Sequence, residues 1–419
     1  MIIYQIFSIL LSPVIDLYLL FRKFKGKEDA FRFKERFGIA SKARPKGLLI
    51  WVHCASVGES NSIWPLINKI LQSNPKINIL FTSGTVTSAA EINKKLQVNI
   101  IHQFIPVDKF FAAKRFIHYW KPDFGIFVES EIWPNLINES VKSGCKLALV
   151  NGRISKKSCK RWKFLSKIGF NILQKFSICF AQSKQDLERF YALGLKNSYF
   201  LGNLKSVCID PKIDQNQLAE FKNIIRNRKV WLAASTHSGE EEIAIKVHQQ
   251  LKKHYPNLLT VIVPRHPNRL KDIVSVIPSD LKFSIRSFNQ EITTDTSIYL
   301  ADTMGELSLF YNAIGVALIG GSMFDNIGGH NPFEAIKAGC VPISGPYYAN
   351  FEEVYLELNS ENACILVKNL NELYLTLDKL IDDLHQKITI LENGLKVLET
   401  SSGIIKEIIE RINDYSKLI

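Results

Sequence analysis

The sequence predicts an α/β protein with two doubly wound domains, each built on a parallel sheet. Three observations lead to this prediction. The chain has 419 residues, of which 46% are hydrophobic, and this is enough to bury two cores. Short apolar runs alternate with helical patterns, as in successive β-α units. A polar stretch at residues 210–217 separates two series of such units.

Each series contains six predicted strands. In the first domain, residues 47–209, they are GLLIWVHCAS, INILFTSGT, FGIFVES, CKLALVNGR, SICFAQS and SYFLGN. In the second domain, residues 218–419, they are KVWLAAS, LLTVIVPR, SIYLAD, GVALIGGS, CVPISGP and ACILVK. Residues 210–217 are the predicted linker, and residues 1–46 form a separate N-terminal segment.

The N-terminal segment predicts contact with a membrane. Residues 1–21 are almost entirely apolar and, at ~20 residues, long enough to cross a bilayer as a helix. No basic residue precedes this run and no small-residue cleavage site follows, so a signal peptide is not indicated. Basic residues begin at Arg22, and the positive-inside tendency keeps the remaining chain on the cytoplasmic side, next to anionic lipid. A spanning helix, an interfacial helix and a helix buried on the first domain all remain open.

The formal charge of +13 is concentrated near this segment. Ten basic and three acidic residues lie between Arg22 and Lys46, so more than half of the excess is local. We therefore expect an anionic membrane surface as a partner, and no nucleic acid. The alternative is that these charges act only as a topology signal.

Several classes of site are not indicated. The seven cysteines form no C-x-x-C pair and no cluster with histidine, so we expect reduced thiols, no zinc and no disulfides. Neither G-x-G-x-x-G nor a P-loop motif occurs. No D-x-D pair follows a strand, so a nucleotide-bound magnesium ion is not expected.

The stretch GGHNPFEA, residues 328–335, has the pattern of a helix N-terminus that meets an anion. Asn331 fits the N-cap, Pro332 the first helical position and Glu334 the third. The free amides would then face a phosphate near Gly328 and Gly329. The alternative is a capping box formed by Asn331 and Glu334 without any ligand.

Polar residues follow other strands as well, among them Glu59, Glu129, Lys205, Arg265 and Glu306. One such residue is weak evidence, because a glutamate at a helix start or an arginine at a strand end is usually structural. Their repeated placement at one edge indicates a ligand site.

The ordered motifs resemble those of the Kdo (3-deoxy-D-manno-octulosonic acid) transferases of bacterial lipopolysaccharide synthesis. The motifs are HCASVGES, FTSGTVTSA, ESEIWPNLI, NGRIS, AQSKQDLERF, GNLKS, AASTHSGEEE, VPRHPNR, DTMGELSLFY, GGSMFDNIGGHNPFEA and GPYYANFEE. The resemblance implies the glycosyltransferase-B fold, with two Rossmann-like domains facing a cleft and terminal helices packing back. It also implies CMP-Kdo as co-substrate without a cofactor, a lipid A precursor (lipid IVA) as acceptor, and a place at the cytoplasmic face of the inner membrane.

The resemblance also implies roles for particular residues. Glu59 is the expected general base of an inverting transfer, and Glu129 and Lys205 are the expected transition-state stabilisers. The residues expected to bind CMP are Pro264, Arg265, Met304, Gly305, Glu306, Asn331, Pro332, Phe333 and Glu334. Gly152 and Ala335 depart from the family pattern, where alanine and proline are expected.

Other classes of function are compatible with parts of the sequence. A related membrane-surface transferase that uses a different nucleotide sugar would keep the fold and the helix-end site. A non-catalytic protein on the same scaffold would be expected to lack Glu59 or Lys205, and both are present. His53, His237, His266 and His330 lie inside motifs, but a lone histidine is usually structural and none is given a catalytic role. No obligate protein partner is predicted.

Overall fold

The structure is a computed structural model that describes residues 1–167, 170–206 and 213–416. The chain forms two compact units. The first comprises Met1–Val207 together with Ser401–Ile419, and the second comprises Cys208–Thr400. Each unit has a parallel sheet with helices between its strands, which confirms the predicted α/β class.

The described part of the first unit contains one parallel sheet of seven strands. The strands are β1 (Leu49–Cys54), β2 (Asn78–Ser83), β3 (Ile100–Phe104), β4 (Phe124–Val128), β5 (Lys146–Gly152), β6 (Ile178–Ala181) and β7 (Ser198–Phe200). Their order is β3-β2-β1-β4-β5-β6-β7, so the winding direction reverses between β1 and β4. Ligands of doubly wound sheets bind at the carboxyl ends of strands beside such a reversal.

Helices cover both faces of this sheet. They are α1 (Ile2–Leu10), α2 (Ser12–Phe24), α3 (Val57–Ser73), α4 (Val86–Lys94), α5 (Phe110–Trp120), α6 (Pro134–Lys142), α7 (Lys156–Lys167) and α8 (Lys184–Ala192). Strand β1 is buried at every residue, and its side chains enter two separate cores: Ile50 and Val52 on one face, Leu49 and Trp51 on the other. A strand that is covered on both faces needs such a continuous apolar run.

The last part of the chain completes the first unit. Helix α16 (Leu384–Ser416) carries isoleucines that pack in the same core as β1, namely Ile404, Ile405, Ile408, Ile409 and Ile412. Their spacing of three and four residues places them on one helical face. The sequence-based division put residues 401–419 in the second domain, but this apolar face groups them with the first unit.

Helices α1 and α2 lie on the first unit with one side exposed. Tyr4 donates a hydrogen bond to the Asp108 carboxylate at 2.9 Å, and Lys109 pairs with Asp16 at 2.5 Å. Apolar side chains remain exposed on both helices, for example Phe7 at 59%. No single helix in the described ranges is long and apolar enough to cross a membrane; α1 and α2 would be so only as a pair, and they are bent by 56°.

The described part of the second unit also contains a parallel sheet of seven strands. They are β8 (Val230–Thr236), β9 (Leu259–Pro264), β10 (Phe283–Ile285), β11 (Ile298–Leu300), β12 (Val316–Ile319), β13 (Val341–Ser344) and β14 (Ile365–Leu366). The order β10-β11-β9-β8-β12-β13-β14 reverses between β8 and β12. The helices are α9 (Gln215–Ile225), α10 (Glu240–Leu251), α11 (Leu270–Ser275), α12 (Leu307–Ala313), α13 (Phe333–Lys337), α14 (Glu352–Ser360), α15 (Leu370–Leu380) and the first half of α16.

The predicted linker, residues 210–217, lies partly outside the described residues. Its last three residues are helical, because the Asp214 side chain caps α9 by accepting from the amides of Asn216 and Gln217. Two strands, β3 and β10, were missed by the sequence analysis, and both lie at an edge of their sheet.

Candidate functional site

Glu59 is held rigidly at the first turn of α3, directly after β1. Its carboxylate accepts a hydrogen bond from the Ala55 amide at 2.8 Å and one from the Ser56 hydroxyl at 2.9 Å. Ser56 in turn accepts from the Glu59 amide, so the two residues cap the helix reciprocally. The carboxylate that was predicted as the base therefore also secures the helix start.

The surroundings of Glu59 favour its protonated form. Burial raises the pKa of Glu59, the Ala55 amide opposes this, and the negative charges of Glu129 and Glu131 raise it further. Glu129 and Glu131 follow β4, and Glu59 follows β1, so the three carboxylates come from the two sides of the sheet reversal. The structure thus brings Glu59 and Glu129 into one electrostatic site.

Glu131 is fixed by two donors. Its Oε2 lies 3.0 Å from His53 Nε2 and 2.6 Å from Trp133 Nε1. Burial alone would raise the pKa of Glu131, but the hydrogen bonds from His53 and Trp133 outweigh it and the net pKa is lowered. His53 is fully buried, and its Nδ1 faces Thr82. Glu131 and His53 are therefore part of the site, although the sequence analysis assigns neither a catalytic or binding role.

Lys205 and Glu129 form an ion pair at 2.8 Å, with only 18% and 12% of the two side chains exposed. Glu129 has a backbone φ of +57°, which is unusual for a residue with a side chain. Its amide donates to Val150 and its carbonyl accepts from the Arg153 amide, so the neighbouring strand β5 stabilises this conformation. Such backbone geometry is common where a side chain is held for function.

A second left-handed residue positions Lys205. Asn151, at the end of β5, has φ of +55°, and its side-chain oxygen accepts from the Leu204 amide at 3.0 Å. Lys205 lies in the short 3-10 helix that begins at Leu204. The two predicted stabilisers are therefore joined to each other and to the ends of β4 and β5.

In the second unit, Pro264 is buried at the end of β9 and Arg265 is exposed directly after it. The Arg265 amide donates to the Thr236 carbonyl at 3.0 Å, which anchors its backbone to β8. Among the described residues, its guanidinium has no hydrogen-bonded or ion-pair partner. An unpaired arginine at a strand end is suited to bidentate binding of a phosphate.

The segment Met304–Glu306 follows β11, as predicted. The Glu306 carboxylate is engaged by Arg286, with contacts of 2.5 and 2.7 Å, and by the Thr303 hydroxyl. The Arg286 guanidinium lowers the pKa of Glu306. Met304 is 70% exposed and Gly305 has φ of +86°. This segment therefore offers exposed backbone and the Met304 side chain to a ligand, while the Glu306 charge is already paired.

The residues Asn331–Glu334 begin α13, but they differ in accessibility. Phe333 is fully buried in a core cluster, and Pro332 is also buried. The helix begins at Phe333 with Pro332 at the N-cap, one residue later than predicted, and the Asn331 side chain just before it accepts from the Phe333 amide at 3.1 Å. Glu334 does not complete a capping box, because its carboxylate makes no hydrogen bond to another described residue. Although Glu334 is exposed on one side, the protein around it raises its pKa, and Arg265 acts in the opposite direction.

The glycine turn after β12 is not an open anion site. The buried carboxylate of Glu240 accepts from the amides of His237, Gly321, Ser322 and Met323 at 2.7 to 3.0 Å. A side chain at Gly320 would lie 2.5 Å from the Ser235 carbonyl, so this close approach requires glycine. The Gly329 amide also donates to the Gly321 carbonyl, at 2.7 Å. The Gly329 amide is therefore not available to an anion, and the phosphate expected near Gly328 and Gly329 at the helix start stays a prediction.

A histidine cluster lies at the reversal of the second sheet. His237 Nε2 is 2.9 Å from His330 Nε2, and the two rings are nearly parallel at 21°. The His266 ring stands almost perpendicular to that of His237, at 5.6 Å. His237 follows β8 and His266 follows Arg265, whereas His330 precedes α13. The sequence analysis gives these histidines no catalytic role because each is considered alone, and no local pattern shows a contact between residues 93 positions apart.

The described residues contain no group of three or more His, Cys, Asp or Glu side chains arranged to hold a metal ion. The six cysteines in the described ranges are free. The groups that can act on a ligand are therefore carboxylates, lysine, arginine and imidazoles, which suit proton transfer and the binding of anions.

Comparison with known proteins agrees with the motifs. The family model for 3-deoxy-D-manno-octulosonic-acid transferase (kdotransferase) matches residues 31–208. The chain is 35% identical over 416 residues to the 3-deoxy-D-manno-octulosonic acid transferase of Rickettsia bellii, with 99% of both chains covered. It is 29% identical over 423 residues to the enzyme of that name from Haemophilus influenzae, with 98% of both chains covered.

A solved structure of S. aureus MnaA with UDP is similar in fold alone. The TM-score is 0.58 at 13% identity, with 89% of this chain and 98% of that chain covered. This likeness and the two doubly wound units confirm the glycosyltransferase-B type of fold. Together with the nearly full-length identity to the Rickettsia bellii protein, these findings show that the chain belongs to the family of 3-deoxy-D-manno-octulosonic acid transferases.

Proposed function

We propose that the protein transfers Kdo from CMP-Kdo to the lipid A precursor lipid IVA, with inversion, at the cytoplasmic face of the bacterial inner membrane. The observation that carries this proposal is the grouping of Glu59 with the Lys205–Glu129 ion pair at the carboxyl ends of β1, β4 and β5. Family membership supports a Kdo transfer, and these groups have the chemistry that the transfer needs.

Glu59 is proposed as the general base. In its ionised form it accepts the proton of the acceptor hydroxyl while the hydroxyl oxygen bonds to the anomeric carbon of Kdo and the bond to CMP breaks. A raised pKa makes a carboxylate a stronger base, and burial and the nearby Glu129 and Glu131 raise the pKa of Glu59. The Ala55 and Ser56 hydrogen bonds hold the carboxylate in place without a cation to neutralise it.

Lys205 is proposed to stabilise the negative charge that develops as CMP departs. Its ammonium group is mostly buried, and a charge in such surroundings interacts more strongly than one in water. Glu129 orients the ammonium group through the 2.8 Å ion pair. The pair is thus ready before the substrate binds, which reduces the reorganisation needed during the reaction.

The second unit is proposed to bind the CMP part of the donor. Arg265 supplies an exposed guanidinium for the phosphate, and Glu334 supplies a carboxylate that can accept from ribose hydroxyls. Met304 and Gly305, which follow the neighbouring strand β11, supply further exposed groups. No metal ion and no cofactor is required in this proposal, because arginine and lysine provide the positive charge.

Helices α1 and α2 are proposed to lie in the membrane interface. Their polar contacts, such as Tyr4 with Asp108, hold one side to the first unit, while Phe7, Leu17 and Phe24 are exposed on the other. An apolar face beside basic residues is typical of helices that bind anionic bilayers.

The basic run after these helices has two parts. The arginines are bound within the unit: Arg22 and Arg36 contact Glu28, Arg32 contacts Glu35, and Arg44 donates to the Trp120 carbonyl. Lysines remain exposed, namely Lys25, Lys27, Lys34, Lys42 and Lys46. We assign to these lysines the attraction of anionic lipid and of the acidic head of the acceptor.

The test is mass spectrometry of lipid IVA incubated with CMP-Kdo and purified protein in detergent. Stepwise Kdo additions by the wild type, lost in Glu59→Gln but kept in Glu91→Gln, would support the proposal. Glutamine keeps the acceptor for the Ala55 amide. Glu91 is a control because it lies at the surface of α4, where it forms an ion pair with Lys94. A folded wild type that binds CMP but adds no Kdo would rule out this acceptor or donor.

A further inference from the structure

The His237–His330 pair stands at the point of the second unit where a ligand is expected. The winding of its sheet reverses between β8 and β12; His237 follows β8, and the loop after β12 leads to His330. Arg265, which the proposed function assigns to phosphate, follows the adjacent strand β9. The pair and the arginine therefore share one edge of one sheet, and nothing in the proposed function uses the pair.

The contact between the two rings fixes the number of protons they carry. A neutral imidazole has one N–H donor and one acceptor nitrogen. At 2.9 Å between Nε2 atoms, one ring must donate and the other must accept, so one proton lies between them. Both Nε2 atoms are thereby occupied by each other, which leaves the Nδ1 atoms for other partners.

Both Nδ1 atoms are available to a ligand. Neither Nδ1 atom has a hydrogen-bond partner within the described ranges. Neither is a fully buried, unpartnered atom, so both are accessible to solvent. In the neutral pair, one Nδ1 carries a proton and the other does not. One additional proton would give both rings an Nδ1–H donor and the pair a positive charge.

The charged groups around the pair keep it neutral in the absence of an anion. Burial lowers the pKa of both rings, that of His330 to about 4, and Arg265 and His266 act in the same direction. Glu240 and Glu241 on α10 oppose this at His237, but the net pKa of His237 is still lowered. An anion within ~4–6 Å would reverse the balance, because opposite charge favours the imidazolium form.

We propose that the His237–His330 pair binds the phosphate of the nucleotide together with Arg265, and that it takes up one proton from solution as it does so. This proposal rests on the proposed function, and it adds a binding element to that site. A phosphate, rather than the sugar carboxylate, is assigned because Arg265 lies beside the pair and because the phosphate gains a second charge when CMP leaves.

Calorimetry of CMP binding tests the proposal. Titrations at about pH 8, where the phosphate of CMP is already a dianion, are run in two buffers that differ in ionisation enthalpy. We expect the wild type to take up a measurable fraction of a proton per CMP. His237→Gln and His330→Gln should lose this uptake and bind CMP about tenfold or more weakly, whereas cytidine should compete equally well in all variants. His385→Gln, an exposed histidine of the same unit, is the matched control.

The other outcomes separate the possibilities. CMP binding without proton uptake by the wild type, or uptake that persists in both glutamine variants, would overturn the inference and leave the proposed function intact. Uptake with CMP-Kdo but not with CMP would overturn the phosphate assignment in favour of the sugar carboxylate. A wild type that binds UMP in preference to CMP would instead contradict the proposed donor. The wild-type measurement decides the case even if one variant fails to fold.

Discussion

Replacing Glu240 with glutamine tests whether its carboxylate holds the turn after β12 together. Oε2 accepts from the amides of His237 and Gly321, and Oε1 accepts from those of Ser322 and Met323. Glutamine has one oxygen and one NH₂ group, so in either orientation two buried amides face a donor. Each orphaned amide costs about 1–3 kcal/mol, and the two together therefore cost about 2–6 kcal/mol. This is a large part of the ~5–15 kcal/mol that stabilises a typical domain.

The free energy of unfolding of the second unit is measured by hydrogen–deuterium exchange mass spectrometry along a denaturant series, using peptides from β8 and β12. These peptides report on the second unit even if the first unfolds separately. Glu242→Gln is the control, because Glu242 lies in the same first turn of α10 but is exposed. A Glu240→Gln protein within about 0.5 kcal/mol of the wild type would refute the reasoning, since that is the usual range for exposed positions.

Three further predictions concern activity and membrane binding. In Glu131→Gln, the acidic limb of the pH–rate profile should move to lower pH. Glu59 must be ionised to act as a base, so activity is lost as the pH falls through the raised pKa of Glu59. A neutral residue at position 131 no longer raises the pKa of Glu59, so that pKa falls. Lys205→Met should reduce the initial rate of Kdo transfer by about 10²–10³-fold, because the departing phosphate loses its cation and Glu129 loses its partner. Phe7→Gln should weaken sedimentation with anionic phospholipid vesicles by about tenfold or more, because its exposed ring would no longer enter the bilayer.

Each of these has a matched control. Glu91→Gln should leave the acidic limb in place, and Lys196→Met, at an exposed position, should keep the wild-type rate. Phe288→Gln changes a phenylalanine of similar exposure, 62%, in the second unit and should leave vesicle binding unchanged. An unmoved limb in Glu131→Gln, a Lys205→Met rate within threefold of wild type, or full vesicle binding by Phe7→Gln would contradict the corresponding assignment.

The central strands of both sheets were predictable because both of their faces are buried, so the sequence shows continuous apolar runs. The two missed strands lack this signal. Strand β3 contains His102 and Gln103, which are buried and make tertiary hydrogen bonds, such as that from Trp120 to Gln103 at 3.0 Å. Strand β10 has three residues. At a sheet edge, polar or short strands are stable only because of contacts that the local sequence does not contain.

The candidate site divides in the same way. The position of Glu59 and its hydrogen bonds were both predictable, because its partners Ala55 and Ser56 are only three or four residues away in the chain. The ion pair between Glu306 and Arg286, which are 20 residues apart, was not predictable from the sequence. The contact between His237 and His330, which are 93 residues apart, was not predictable either. Nor did the sequence indicate that Glu240 fills the glycine turn. In each case the two partners follow different strands of the sheet. They lie close together only because of the order of the strands, which the local sequence does not show.

The core of the first unit has a consequence for biosynthesis. The isoleucines of α16 that pack in it, from Ile404 to Ile412, are made only after the whole of Cys208–Thr400. At about 5–20 residues per second, the ribosome needs roughly 10–40 s for that interval. During this time a nascent chain exposes the apolar surface of the first unit that α16 later covers. Synthesis of α16, rather than synthesis of residues 1–207, is therefore the step that supplies the last side chains of this core.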